Sequence, residues 1–475
     1  MFPLTITMVD QRINGLQAPG LPRAFPGPDE TQGALGELLG HGSKILCDWL
    51  EATNNHGPRP ALSVQPLAEP GDVGKSMEQL WCDLAGLMDG AYRPNHPGAL
   101  AHLDPPSLGV SICAEMIAAG LNNNLLAEEL SPSLSRLERS LCSWIAREIG
   151  LGDLASGVPA SGGSLSNLMA LVCARQAAQL QKHSNCVVIT GAGSHVSLNK
   201  ALAVMGIGAD CLWRLPLDSQ GRLKAIEVAA AFDKAQKLGL PILAVVATAG
   251  TTIQGLVDPI GEMAALCKSA GVWLHVDGAI GGVCALVESE RWRVEGIGLA
   301  DSVSLNPQKL LGVSKPSSLL LLKDPAHLKN SFSTGLPYME PPMVSQGGEL
   351  GLQGTRGAEV LKLWMSLQYL GLEGIENILQ SAFSRASILR NLLESMPLQL
   401  LAGDLHLLSF TASGMESENQ VAWRDRCHRE LLRSNYWLSK PNWRELPLLK
   451  AVLGNPYTSS EHLQQLASVV KKSLI

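Results

Sequence analysis

The sequence predicts an α/β protein: a large domain with a mostly parallel sheet flanked by helices, a small C-terminal α+β domain and an N-terminal helical arm. Three observations predict it. Short, nearly continuous apolar runs occupy 187–190, 211–215, 242–248, 273–277, 302–306 and 317–322. Helical apolar spacing precedes or separates them at 134–149, 167–180, 225–238 and 261–269. Strands covered on both faces by helices read as unbroken apolar runs. The composition agrees: of 475 residues, 46% are hydrophobic, 17% charged and only 4% aromatic, with 47 glycines. That suits a large core with tight turns better than an all-β sandwich.

The elements follow in order. In 1–95, Pro- and Gly-rich stretches at 19–28 and 58–70 alternate with helical patterns at 34–52 and 75–88. These read as an arm that wraps a partner subunit or the main domain. The large domain spans 96–370. A helix from Glu359 through Leu361, Trp364 and Leu367 closes it and meets Gly371 and Gly374. In 371–475, helices at 377–393 and 421–432 and strands at 405–411 and 436–439 make the small domain.

Several function classes are excluded. Net charge is 37 − 43 = −6, so no basic excess exists to neutralise nucleic-acid phosphates. No apolar run reaches a membrane-spanning length. The N-terminus, MFPLTITMVDQR, lacks the basic start of a secretory signal. Ten cysteines without a CxxC pair predict reduced thiols in a cytoplasmic protein and no metal site.

Ligands of open α/β sheets bind beyond the carboxyl ends of the strands. Ser161-Gly162-Gly163-Ser164 precedes a helix; such a turn serves as an anion cradle or as an ordinary N-cap. His195 follows the strand at 187–190 and is either a ring for stacking a flat ligand or a loop histidine. Thr248 ends the third strand, where a hydroxyl can meet a ligand or cap the next turn. Asp277 ends the fourth, followed by Ala279; a buried carboxylate there demands a cation, and a protonated pyridine nitrogen is one. Asn306-Pro307-Gln308-Lys309 turns between two apolar strands. A desolvated Lys309 becomes a nucleophilic amine able to form a Schiff base, whereas a snorkelling lysine would not. Phosphate loop, ring, hydroxyl, acid and lysine in this order are what pyridoxal 5′-phosphate (PLP) requires.

The motifs SGGSLSNLMAL, GSHVSLNKAL, TAGTTIQGLVDPI, LHVDGAIGG, NPQKLL and TRGAEVLKLW resemble those of the group II PLP-dependent amino-acid decarboxylases, across about 95–375. The resemblance implies the PLP-dependent transferase fold (fold type I) and decarboxylation of an L-amino acid to its amine. It implies that Lys309 carries the cofactor as an internal aldimine, that Asp277 faces the pyridinium nitrogen, and that His195 and Ala279 cover the two ring faces. Thr248 is then placed near the phenolic oxygen, and Gly163, Ser164 and Asn306 at the phosphate. Gly354 and Thr355 match a segment that reaches the phosphate of the neighbouring subunit, implying a homodimer with shared active sites.

Two positions depart from the family pattern. Gln308 stands where a histidine is usual; it can contact phosphate but cannot transfer a proton. The stretch 343–352 has no tyrosine to return a proton to the α-carbon, and Tyr338 lies earlier. The segment AHLDPP, with His102 and Asp104, resembles the diaminobutyrate and acidic branches rather than the aromatic one. Asp104 in the pocket would favour a cationic substrate; alternatively it caps a helix begun by Pro105-Pro106. Other outcomes on the same fold are transamination, oxidative deamination, or a catalytically silent PLP-binding paralogue.

Overall fold

A computed structural model describes residues 33–60, 69–335 and 346–474. The chain divides into two compact units, 1–54 with 62–90, and 55–61 with 91–475. In the first, helices α1 (Ala34–Glu51) and α2 (Met77–Asp89) are joined by a hydrogen bond from Trp49 Nε1 to Met88 O at 2.8 Å. Ser76 opens α2 with a reciprocal capping box to Gln79.

The second unit is built on a seven-stranded sheet. Its strands are β1 (Ser156–Ala160), β2 (Val187–Gly191), β3 (Leu212–Leu215), β4 (Ile242–Thr248), β5 (Trp273–Gly278), β6 (Ser302–Leu305) and β7 (Ser318–Leu322), in the order β1-β7-β6-β5-β4-β2-β3. The pairs from β6 through β3 are parallel, and β7 runs antiparallel to both β1 and β6. This confirms the mostly parallel sheet predicted above. Leu243–Thr248 and the whole of β2 are buried, as their unbroken apolar character requires.

The helices of this unit are α3 (Gly109–Leu121), α4 (Pro132–Glu148), α5 (Gly163–Ala177), α6 (Ser197–Val204), α7 (Ala225–Leu238), α8 (Ile260–Ala270), α9 (Ala326–Phe332), α10 (Val360–Glu394), α11 (Ser417–Arg433) and α12 (Ser460–Ser473). Gly371, at φ 59°, interrupts α10 where the sequence placed its glycines. A three-stranded antiparallel sheet joins β8 (Leu398–Ala402), β9 (Leu407–Ala412) and β12 (Leu449–Val452), and β10 (Asn442–Trp443) pairs with β11 (Leu446–Pro447) in a separate small hairpin.

Three expectations are corrected. The helix predicted from 167 starts four residues earlier, so Gly163 and Ser164 are its first turn. Residues 436–439 form isolated bridges from Trp437 and Ser439 and no strand. β1 was not predicted because SGVPA is short and contains Gly and Pro; it is tolerated as the edge strand of its sheet.

Candidate active site

The carboxyl ends of β4, β5 and β6 converge. Thr248 pairs in register with Asp277, and Asp277 with Ser304. The carboxylate of Asp277 is buried and accepts from three groups: Asn167 Nδ2 at 2.8 Å, the Ala279 N–H at 3.2 Å and Ser304 Oγ at 3.3 Å. Lys309 follows β6, its N–H bonded to Asn306 O at 3.1 Å. Burial pushes the Lys309 ammonium pKa down, opposed by the charges of Asp277 and then Asp104. Burial also lowers His195, against the pull of Asp277. His195, Asp277 and Lys309 thus share one electrostatic neighbourhood. Nδ1 of His195 accepts from the Ser197 N–H at 3.2 Å, leaving Nε2 to carry the proton.

Beside this group lies a cradle. A Cβ added to Gly163 would come 3.0 Å from the Asn306 amide and 3.4 Å from Ala279 Cβ, so a side chain there would crowd both. With its amide oriented to satisfy both ends, Asn306 donates to Ser318 Oγ at 2.6 Å and accepts from the Gly163 N–H at 3.2 Å. Ser164 is exposed at the N-terminus of α5, where a helix favours an anion. Gln308 Oε1 accepts from the Ser317 N–H at 2.6 Å, which pins the turn carrying Lys309 to the start of β7.

A pocket opens at Lys309, lined also by His102, Asp104, His406, Gly454 and Asn455. Asp104 caps no helix, since α3 starts at Gly109; its carboxylate instead pairs with Lys315. His102 lies edge-on to Tyr92 and Trp437, and burial lowers its pKa. His406 is pushed down to about 3 by burial, and its Nδ1 has no partner among the described residues. Lys450 donates to Thr252 O at 3.1 Å and adds positive charge near both histidines.

Not every expected residue joins the site. Gly354 approaches Leu126, and Thr355 is exposed on a segment held to 124–126 by Leu125 N to Arg356 O at 2.9 Å. Tyr338 lies outside the described residues. Conversely, Asn167, His275, Lys315 and His406 were not singled out from sequence. Only polar identity at buried helix or strand positions marked Asn167 and His275; nothing local marked the other two.

The donor set fits PLP. It offers an amine whose pKa burial lowers, a buried carboxylate, a glycine cradle at a helix N-terminus, and the buried Thr248 Oγ1, which has no partner among the described residues.

Comparison with known proteins agrees. The family described as pyridoxal-dependent decarboxylase conserved domain matches residues 69–407. An L-2,4-diaminobutyrate decarboxylase of Acinetobacter baumannii is 28% identical over 374 residues, 72% of each chain. An acidic amino acid decarboxylase of Mus musculus is 29% identical over 329 residues, 66% of this chain and 60% of that protein. The crystal structure of Oryza sativa TDC with PLP and tryptamine superposes with a TM-score of 0.87 at 19% identity, covering 94% of this chain and 99% of that one. The family match spans most of the chain and the donor set suits its cofactor: this chain belongs to the pyridoxal-dependent decarboxylase family and is a PLP-dependent amino-acid carboxy-lyase.

Proposed function

We propose that the enzyme decarboxylates a charged, non-aromatic L-amino acid, diaminobutyrate-like or acidic, to its amine and CO2, with Lys309 as the lysine that binds the cofactor. The observation carrying this reading is that Lys309 opens into a pocket walled by His102, Asp104, His406 and Asn455, polar groups suited to a charged side chain. Diaminobutyrate and acidic amino acids are also the substrates in the names of the two relatives above.

Bound PLP supplies an electron sink for the pair left behind when CO2 departs. The chain supplies position and charge. Asp277, held by three donors, would accept from a protonated ring nitrogen. His195 and Ala279 would flank the ring. Thr248 Oγ1 would donate to the phenolic oxygen and so gain a partner. Gly163, Ser164, Asn306 and Gln308 would hold the phosphate. Tyr338 is assigned the return of a proton to the α-carbon. We assign the enzyme to the cytoplasm as a homodimer in which Gly354 and Thr355 complete the partner's phosphate site. Leu35, Leu38, Leu80 and Leu84, exposed on α1 and α2, support a partner for the N-terminal unit.

The test is CO2 release with product mass against 2,4-diaminobutyrate, glutamate, aspartate, ornithine, lysine, arginine, tyrosine and cysteine sulfinate. Release of the amine from one charged substrate, lost in Lys309→Ala, is expected. Aldehyde with ammonia would place the enzyme among oxidative deaminases, and turnover of tyrosine alone would overturn the pocket reading. No release with cofactor bound would mark a silent paralogue.

A further inference from the structure

Trp273, His275 and Asp277 alternate along β5 and so project to one face of the sheet. Their register partners on β6 include Ser302 opposite His275 and Ser304 opposite Asp277. Asn167 of α5 packs over this face, and four contacts join these side chains into one line. Trp273 Nε1 lies 2.9 Å from Ser302 Oγ, which lies 2.9 Å from His275 Nδ1. His275 Nε2 lies 3.1 Å from Asn167 Oδ1, and Asn167 Nδ2 lies 2.8 Å from Asp277 Oδ2 and 3.0 Å from Ser197 Oγ. His275, Ser302 and Asn167 are each at most 1% exposed.

The direction of every bond is determined. A carboxylate only accepts, so Asn167 turns its NH2 to Asp277 and its oxygen to His275. Nε2 of His275 must then carry the proton. The indole N–H only donates, so Ser302 accepts from Trp273 and passes its own hydrogen to Nδ1. Burial lowers the His275 pKa and keeps the ring neutral, as this pattern requires.

We propose that His275 is a positioning residue for the ring nitrogen of the cofactor: by donating to Asn167 Oδ1 it locks the amide so that Asp277 receives a donor on the side away from the ligand and presents an acceptor toward it. This rests on the reading of Asp277 as the partner of that nitrogen. Without a donor at 275, Asn167 can rotate and turn its oxygen against the carboxylate, displacing it.

The experiment measures binding to the full-length apoenzyme of two probes: PLP, and its 1-deaza analogue, which carries C–H in place of the ring nitrogen. In His275→Leu, PLP affinity is expected to fall about tenfold, the scale of one hydrogen bond to a charged group. Affinity for the deaza analogue should change far less. His275→Gln, whose amide N–H can replace Nε2, should restore most PLP affinity. Ser302→Ala, a smaller change that leaves Nδ1 without its donor, repeats the test if His275→Leu does not fold. Asp277→Ala is the reference for the nitrogen contact. Equal losses for the two probes in His275→Leu, or no rescue by Gln, while Asp277→Ala discriminates between them, would overturn the relay alone. Failure of Asp277→Ala to discriminate would overturn the underlying reading of Asp277, and the relay with it.

Discussion

Thr248 and Asp277 are register partners on the adjacent strands β4 and β5, and they stand in opposite states of satisfaction. The carboxylate holds three donors, whereas the buried hydroxyl has no partner among the described residues. An unsatisfied buried hydroxyl costs about 1–3 kcal/mol. Thr248→Val should therefore leave the apoenzyme as stable as the parent or more so, while weakening PLP binding several-fold. Thermal melts with and without PLP check this; an apoenzyme strongly destabilised by Val would show that the hydroxyl is already satisfied.

Asp258 anchors the same strand end: its Oδ2 accepts from the Thr248 N–H at 2.8 Å. Burial pushes its carboxyl up from 3.8 to about 6. Because the folded pKa lies above the unfolded one, the folded state binds the extra proton between these values. Stability from this group thus rises as pH falls from about 6 towards 3.8, and is absent above that window. Asp258→Asn, which keeps the acceptor without the charge, should remove this slope and stabilise the protein at neutral pH by on the order of 1–3 kcal/mol. Urea denaturation at pH 5 and pH 7.5 measures both effects; an unchanged slope would rule out Asp258 as its source.

Asp104 and Lys315 form an ion pair in which Asp104 lines the Lys309 pocket. A cationic substrate would take Asp104, whereas an acidic one would take Lys315. With diaminobutyrate as substrate, Asp104→Asn should raise KM about tenfold, the scale of a contact to a charged group, with a smaller change in kcat. With an acidic substrate, Lys315→Met should do so instead. Both KM values remaining at the parental level would remove the pair from substrate recognition.

Thr355 is exposed on a segment that packs against 124–126 rather than against Lys309. Shared active sites would explain this placement. Thr355→Trp should bind PLP poorly and Lys309→Ala should release no CO2, yet mixed subunits should regain part of the activity, because each hybrid dimer contains one intact site. Ultracentrifugation tests whether a dimer forms; a mixture that stays inactive although hybrids form would place Thr355 outside any shared site.

Much of the site was legible along the chain because a parallel sheet buries its strands on both faces and delivers ligand-binding groups at their carboxyl ends. The apolar runs announced β2 to β7, and the polar residues that end or follow them (Thr248, Asp277, Asn306, Lys309) pointed to the strand ends that converge in the fold. β8 and β12 escaped notice because their meaning lies in pairing with β9 across the chain rather than in a local pattern.

Local pattern thus sufficed for the sheet, the cofactor chemistry and the family, since each depends on residue type at a strand end. Folding alone settled which groups meet: Asp104 with Lys315 across 211 positions, Asn167 with Asp277 across 110, and His406 beside Lys309. The reason is physical: the strength and direction of a buried polar contact depend on its desolvation and on which partner donates, and both come from neighbours distant in sequence.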